Sequence, residues 1–214
     1  MAFKSKVKQV VCSLDKFSPY PVFYQFIMSK AEISIFDEAI KNSQHYLEFG
    51  LGGSTIRAIQ RSKAKIYTVE SSFCWLAYMR RYMIARFFEG KCLHIHSVNI
   101  GPTRDWGFPD NDNDIFEAYS SSIFHVIDPE LVDLALVDGR FRVACTLKII
   151  MSCCENSNLK ILIHDFWNRE QYHILLKYLD TVQKVDTIGL FSIKKSIDMK
   201  QVEKDYGAYK FDPQ

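Results

Sequence analysis

Tyr46-Leu47-Glu48-Phe49-Gly50-Leu51-Gly52-Gly53-Ser54-Thr55, followed further on by Ile66-Tyr67-Thr68-Val69-Glu70, decides how this chain folds. An apolar run stops at Phe49, glycines allow a tight turn and close backbone approach, and Ser54-Thr55 opens a helix whose first amides can face a ligand. The spacing is not G-x-G-x-x-G, because position 55 is Thr, and no Walker lysine follows. Twenty residues past Gly50 the second run ends in Glu70, where a carboxylate can accept both ribose hydroxyls of a nucleoside. Taken singly, Gly52 and Gly53 also suit an ordinary turn, and Glu70 a solvated strand end.

Working outward, short apolar runs alternate with helical patterns, the signature of a parallel sheet covered on both faces. The runs are 45–49, 65–69, 92–98, 132–137, 159–163 and 187–193. Leu76, Met79, Met83 and Phe87 recur at helical spacing after the second run; Val143, Ala144, Leu147, Ile150, Met151 and Cys154 do so after the fourth; Tyr172, Leu175, Leu176 and Leu179 after the fifth. An N-terminal helical extension over 1–41 precedes a single unit over 42–214. The polar stretch from Gly101 to Ser122 reads as a long loop, either functional or a solvated insertion.

The chain has 214 residues, 27 Lys+Arg against 25 Asp+Glu, 48% hydrophobic residues and six cysteines. Those values bound one globular domain and exclude global disorder, and the near-neutral charge argues against nucleic acid or an anionic membrane as the main partner. The cysteines form no C-x-x-C pair and read as reduced thiols of a cytoplasmic protein. No run is long enough to span a bilayer. The basic start MAFKSKVKQVVCSLDKF lacks the pattern of a signal peptide and suits either a docking helix or peripheral contact with a membrane surface.

The E-x-G-x-G-G-S-T turn with Glu70 resembles the cofactor half of class I S-adenosylmethionine-dependent methyltransferases, and the alternation from His45 onward is similar to their fold. The resemblance implies an α/β, doubly wound, mostly parallel seven-stranded sheet with helices on both faces. It implies S-adenosylmethionine as cofactor, with Glu48, Gly50, Gly52, Gly53, Ser54 and Thr55 beside its amino-acid part, Glu70 on the ribose and Asn99 near the adenine. Ligands of open parallel sheets bind beyond the strands' carboxyl ends, so the tips of the fourth and fifth runs, LALVDGRFR and ILIHDFWNR, supply the catalytic candidates Asp138, His164 and Asp165. A hydroxyl acceptor would lose its proton to a base there such as His164 or Asp165, or would be made more acidic by a hard cation such as Mg bound by Asp138 and Asp165. The two acids resemble those of catechol-type metal-dependent O-methyltransferases, except that Phe166 stands where those enzymes carry Asn. Asp138 also suits a helix cap.

Arg104, Trp106, Arg140 and Tyr172 are the candidates for holding a small or glycan acceptor, with the guanidinium groups favouring an anionic one or pairing with neighbouring acids. Tyr172 fits the apolar stripe, which favours a core position for it. GPTRDWGFP, VDGRFRVAC and HDFWNREQYH look like a set of methyltransferase-like proteins linked to bacterial surface-polysaccharide biosynthesis. The expectation is an O-methyltransferase of a sugar or other small polar molecule. The competing readings are a non-catalytic methyltransferase-like binding subunit and a nucleotide-sugar enzyme such as a glycosyltransferase.

Overall fold

The computed structural model describes residues 10–110 and 114–214. Seven strands form one sheet: β1 (His45–Phe49), β2 (Lys65–Glu70), β3 (Leu93–Ser97), β4 (Leu134–Val137), β5 (Lys160–Ile163), β6 (Leu179–Val185) and β7 (Ile188–Ile193). Their order is β3-β2-β1-β4-β5-β7-β6. The first five pair in parallel, and β7 runs antiparallel to both β5 and β6. Chain order reverses beside β1, which lies between β2 and β4, so the crevice for a ligand opens at their carboxyl ends.

Strand alternation builds the layers. Leu47, Phe49, Ala135, Val137, Ile161 and Ile163 join one buried cluster with α6 (Glu117–Ser121), α7 (Arg142–Cys153) and α8 (Met199–Tyr209). Tyr46, Leu134, Leu136 and Leu162 join the other with α2 (Lys30–Lys41), α3 (Gly53–Arg61), α4 (Phe73–Met79) and α5 (Met83–Phe88). Period-2 side chains buried on both faces are what a doubly wound sheet requires. The helix α1, described over 10–15, is short, and residues 16–29 between it and α2 are mostly irregular. No helix among the described residues is long and apolar enough to cross a membrane.

Four sequence expectations change. The stripe Leu76–Phe87 is two helices, α4 and α5, and Phe87 is exposed. Leu179 begins β6 rather than ending a helix, and Tyr172 to Leu176 lie on a 3-10 helix, Glu170–Lys177. That edge strand is exposed along nearly its whole length, so it carries no apolar period to read. The polar stretch 101–122 is a loop only in its first half: Phe116 and Tyr119 anchor its second half in the core as a helical turn and α6.

Candidate active site at the carboxyl edge of the sheet

The glycine turn is held from beneath. Glu48 lies on the α3 side of β1, fully buried, and accepts hydrogen bonds from the Ser54 and Thr55 hydroxyls and, at 3.2 Å, from Tyr46. Burial pushes its carboxyl up to about 7, against the pull of those hydroxyls. The side chains of Ser54 and Thr55 therefore face Glu48, and the turn itself presents backbone. Gly50 has φ 109°, and a Cβ there would sit 2.9 Å from the Gly139 nitrogen, so the tips of β1 and β4 meet through two glycines. A Cβ on Gly52 would meet nothing nearer than 4.0 Å, which leaves that backbone open to a ligand. Gly53 has a different reason: a Cβ would collide with the Gln25 carbonyl and lie 2.7 Å from the Phe26 Cβ, so this glycine seats the N-terminal segment.

Glu70 ends β2 beside that turn. Its carboxylate accepts the backbone amides of Ser71 and Ser72 at 2.8 and 2.7 Å, and burial raises its carboxyl to about 7 despite these and the Leu51 amide. Trp75 fixes the other side of the turn by donating from Nε1 to the Leu51 carbonyl at 2.6 Å, its ring stacked on Tyr78. Asn99 is exposed past β3, its Oδ1 accepting from the Gly101 amide.

The tips of β4 and β5 carry a chain of alternating charge. His164 Nδ1 is 2.8 Å from Asp138 Oδ1, and its Nε2 is 3.7 Å from Glu32 on α2. Burial opposes protonation of the imidazole, but the bond to Asp138 and the charges of Asp138 and Asp165 raise its pKa. Arg142, buried at the start of α7, reaches Asp138 at 3.3 Å and Asp165 at 3.2 Å and donates to the His164 carbonyl. Arg169 closes the chain on Asp165 at 3.0 Å. Against its burial, His164, Arg142 and Arg169 hold the Asp165 carboxyl below its usual range. Asp138, His164 and Asp165 are thus brought together as the sequence implies, but as ion pairs. The divalent cation does not fit: a guanidinium already lies between the two acids, and among the described residues no three His, Cys, Asp or Glu side chains group to hold a metal.

The first half of the 101–122 stretch folds over this edge. Arg140 donates from Nε to the Trp106 carbonyl at 3.0 Å and lies over the Phe108 ring, while Gly107 approaches Ser71. Trp106 itself is exposed and held at φ 61°. Trp106, Phe141 and Asp165 are three of the four non-glycine residues with positive φ among the described ones, and all three border this edge, where strain commonly marks function. Arg104 points away into an ion pair with Asp110 at 2.6 Å. Tyr172 is buried in the core with its ring between Arg142 and Arg169, which removes it from the acceptor side.

Reading the sequence did not single out Glu32, Gly139, Tyr119 or Arg169. Glu32 had a legible signal: Ser29-x-x-Glu32 is a capping box, and it forms. Its further bonds to Thr187, at 2.9 and 2.6 Å, depend on tertiary proximity alone.

With this edge and the strand order described, likeness to known structures decides the type of fold. A methyltransferase-like protein from Silicibacter pomeroyi is 25% identical, with a TM-score of 0.76 over 89% of this chain and 98% of that one. The fold is that of the class I methyltransferases. A methyltransferase from Geobacter sulfurreducens (12% identity, TM-score 0.52, 92% and 89% covered) shares that fold. An RNA methyltransferase from Salinibacter ruber in complex with S-adenosyl-L-homocysteine does too (13%, 0.50, 81% and 97%). No family model matches the chain, and no curated protein does.

Proposed function

We propose that this chain is an S-adenosylmethionine-dependent methyltransferase that methylates a hydroxyl of a sugar or other small polar, anionic acceptor. The observation that carries the reading is the juxtaposition, on adjacent strands of a methyltransferase-type sheet, of the open Gly50–Gly52 backbone and the Glu70 carboxylate. Glu70 would accept the ribose hydroxyls, the turn would meet the amino-acid part, and Asn99 would border the adenine. The cofactor supplies a methyl already activated by its sulfonium; the protein aligns the acceptor and receives its proton.

For that proton the geometry favours Asp138 over its neighbours. Both His164 nitrogens face carboxylates, and Asp165 is held by two guanidinium groups. Asp138 is the most exposed of the three, and only its Oδ1 is engaged by described residues. Its Oδ2 would take the acceptor proton as the acceptor oxygen takes the methyl, with His164 fixing the carboxylate. Arg140, across the edge, would draw an anionic group.

Calorimetric titration with S-adenosylhomocysteine tests the cofactor assignment. Saturable binding is expected, weakened at least about tenfold in Glu70→Ala; absence of saturable binding in the unmodified protein refutes the reading. A binding-only role is the second reading, favoured by the internal pairing of the edge charges. A panel of sugar and uronic acid acceptors separates them. Turnover that falls about a hundredfold in Asp138→Asn, with cofactor affinity kept, supports catalysis.

A further inference from the structure

We propose that residues 10–27, together with the outer side of α4 and α5, form a surface that docks this protein on an anionic lipid bilayer. Sixteen large hydrophobic side chains are exposed among the described residues, and eight of them, Val10, Val11, Leu14, Phe17, Tyr20, Val22, Phe23 and Ile27, fall within these eighteen positions. Scattered exposed apolar residues are ordinary; such a concentration marks an interaction surface.

These side chains are not displayed by a loose end. The Asp15 carboxylate accepts the amides of Val22 and Phe23 at 2.7 and 2.6 Å, which closes the 15–23 loop on itself. The Lys16 carbonyl accepts the Met83 amide at 2.7 Å, Tyr82 donates to the Phe23 carbonyl, and the Lys16 ammonium lies 4.1 Å over the Tyr78 ring. The loop is therefore fastened to α4–α5 chiefly through its backbone, while the eight apolar side chains of 10–27 keep 43–69% exposure.

Charge selects the occupant. Residues 10–27 contain one lysine and one acid, and residues 73–91 contain three arginines, one lysine and one acid. These two segments together carry a net +3, more than the +2 of the entire chain, so the rest of the chain is on balance acidic. Arg81 and Arg86 are exposed on that side, with no ion-pair partner among the described residues, and Phe73 and Phe87 are exposed with them. A second copy docked face to face would set +3 against +3. An anionic bilayer offers both what the apolar side chains need and what the cations need: hydrocarbon beneath a negative surface. The docking is independent of the methyl-transfer reading, because it uses none of the residues assigned to the cofactor or acceptor.

Co-sedimentation of the full chain with vesicles tests it, comparing phosphatidylcholine alone with phosphatidylcholine containing phosphatidylglycerol. Partition onto the anionic vesicles is expected to exceed that onto neutral ones by at least about tenfold and to fall as salt is raised. Phe17→Glu with Val22→Glu should abolish it, and Arg81→Glu with Arg86→Glu should reduce binding to anionic vesicles to the neutral level, both with an unchanged circular dichroism spectrum. The proposal is overturned by equal partition onto both vesicle types or onto neither. It is also overturned by anionic binding that survives both double substitutions, or by a dimer in light scattering that Phe17→Glu dissociates.

Discussion

Two glutamates on neighbouring strands show how position, not residue type, assigns a task. Both have carboxyls raised to about 7 by burial, yet Glu48 spends its oxygens on hydroxyls of its own turn, whereas Glu70 lies at a strand tip beside open backbone. The ionised form of Glu70 is the one that accepts two ribose hydroxyls, so a bound nucleoside favours loss of its proton. At pH 6 most of this carboxyl is protonated and at pH 8 most is ionised. The dissociation constant for S-adenosylhomocysteine should therefore fall about tenfold from pH 6 to pH 8. Glu70→Gln should bind more weakly and show no such dependence. A wild-type affinity that is flat across this range would mean that Glu70 does not face the ribose. The glycine turn and Glu70 were legible in sequence because each is a backbone requirement or a strand end. Glu32 facing His164 was not, since positions 132 residues apart meet only through tertiary packing.

At the level of elements, α2 buries Ile35, Phe36 and Ile40 in the core, and a few polar contacts add to that packing around it. Glu32 caps its own helix, holds the β6–β7 turn through Thr187 and faces His164; Ser29 bonds Asp186 at 2.5 Å; Asp37 pairs with Arg57 across to α3 at 2.5 Å. Gly53 is the point where residues 25 and 26 cross the start of α3. Gly53→Ala should lift that segment, destabilising the fold by about 1–3 kcal/mol, the usual cost of overpacking. Limited proteolysis should then cut within 16–28 before any other site; an unchanged melting temperature and cleavage pattern would show that the crossing carries no load. A functional reading of all three glycines from sequence thus mixes two causes. The five parallel strands were visible through apolar runs bounded by turns. The sixth in sequence was not, because an exposed edge strand pairs through its backbone and leaves no mark on composition.

For the whole molecule, the buried charges set a pH dependence that the formal +2 hides. In the unfolded chain Glu48 and Glu70 lose their protons near 4.5, but in the fold they keep them to about 7. Between those values the folded state binds more protons, so raising the pH works against folding, by up to about 1.4 kcal/mol per pH unit for each group. His164 acts in the same sense: its raised pKa adds stability that is complete below 6.5 and is lost as the pH climbs through the folded value. Glu32, Asp165 and Asp205 are lowered, so their contribution is present above about 4.5 and is lost as the pH falls through their folded values. The two limbs meet on the acidic side of neutrality. Melting temperature followed by circular dichroism should peak near pH 5 and decline toward pH 8, and the decline should become shallower in Glu48→Gln with Glu70→Gln. A ligand that binds the ionised Glu70 opposes this trend, so saturating S-adenosylhomocysteine should move the optimum toward neutral pH. An optimum at pH 7 or above in the free protein would show that water reaches these carboxyls and that the sheet edge stands open without its ligand.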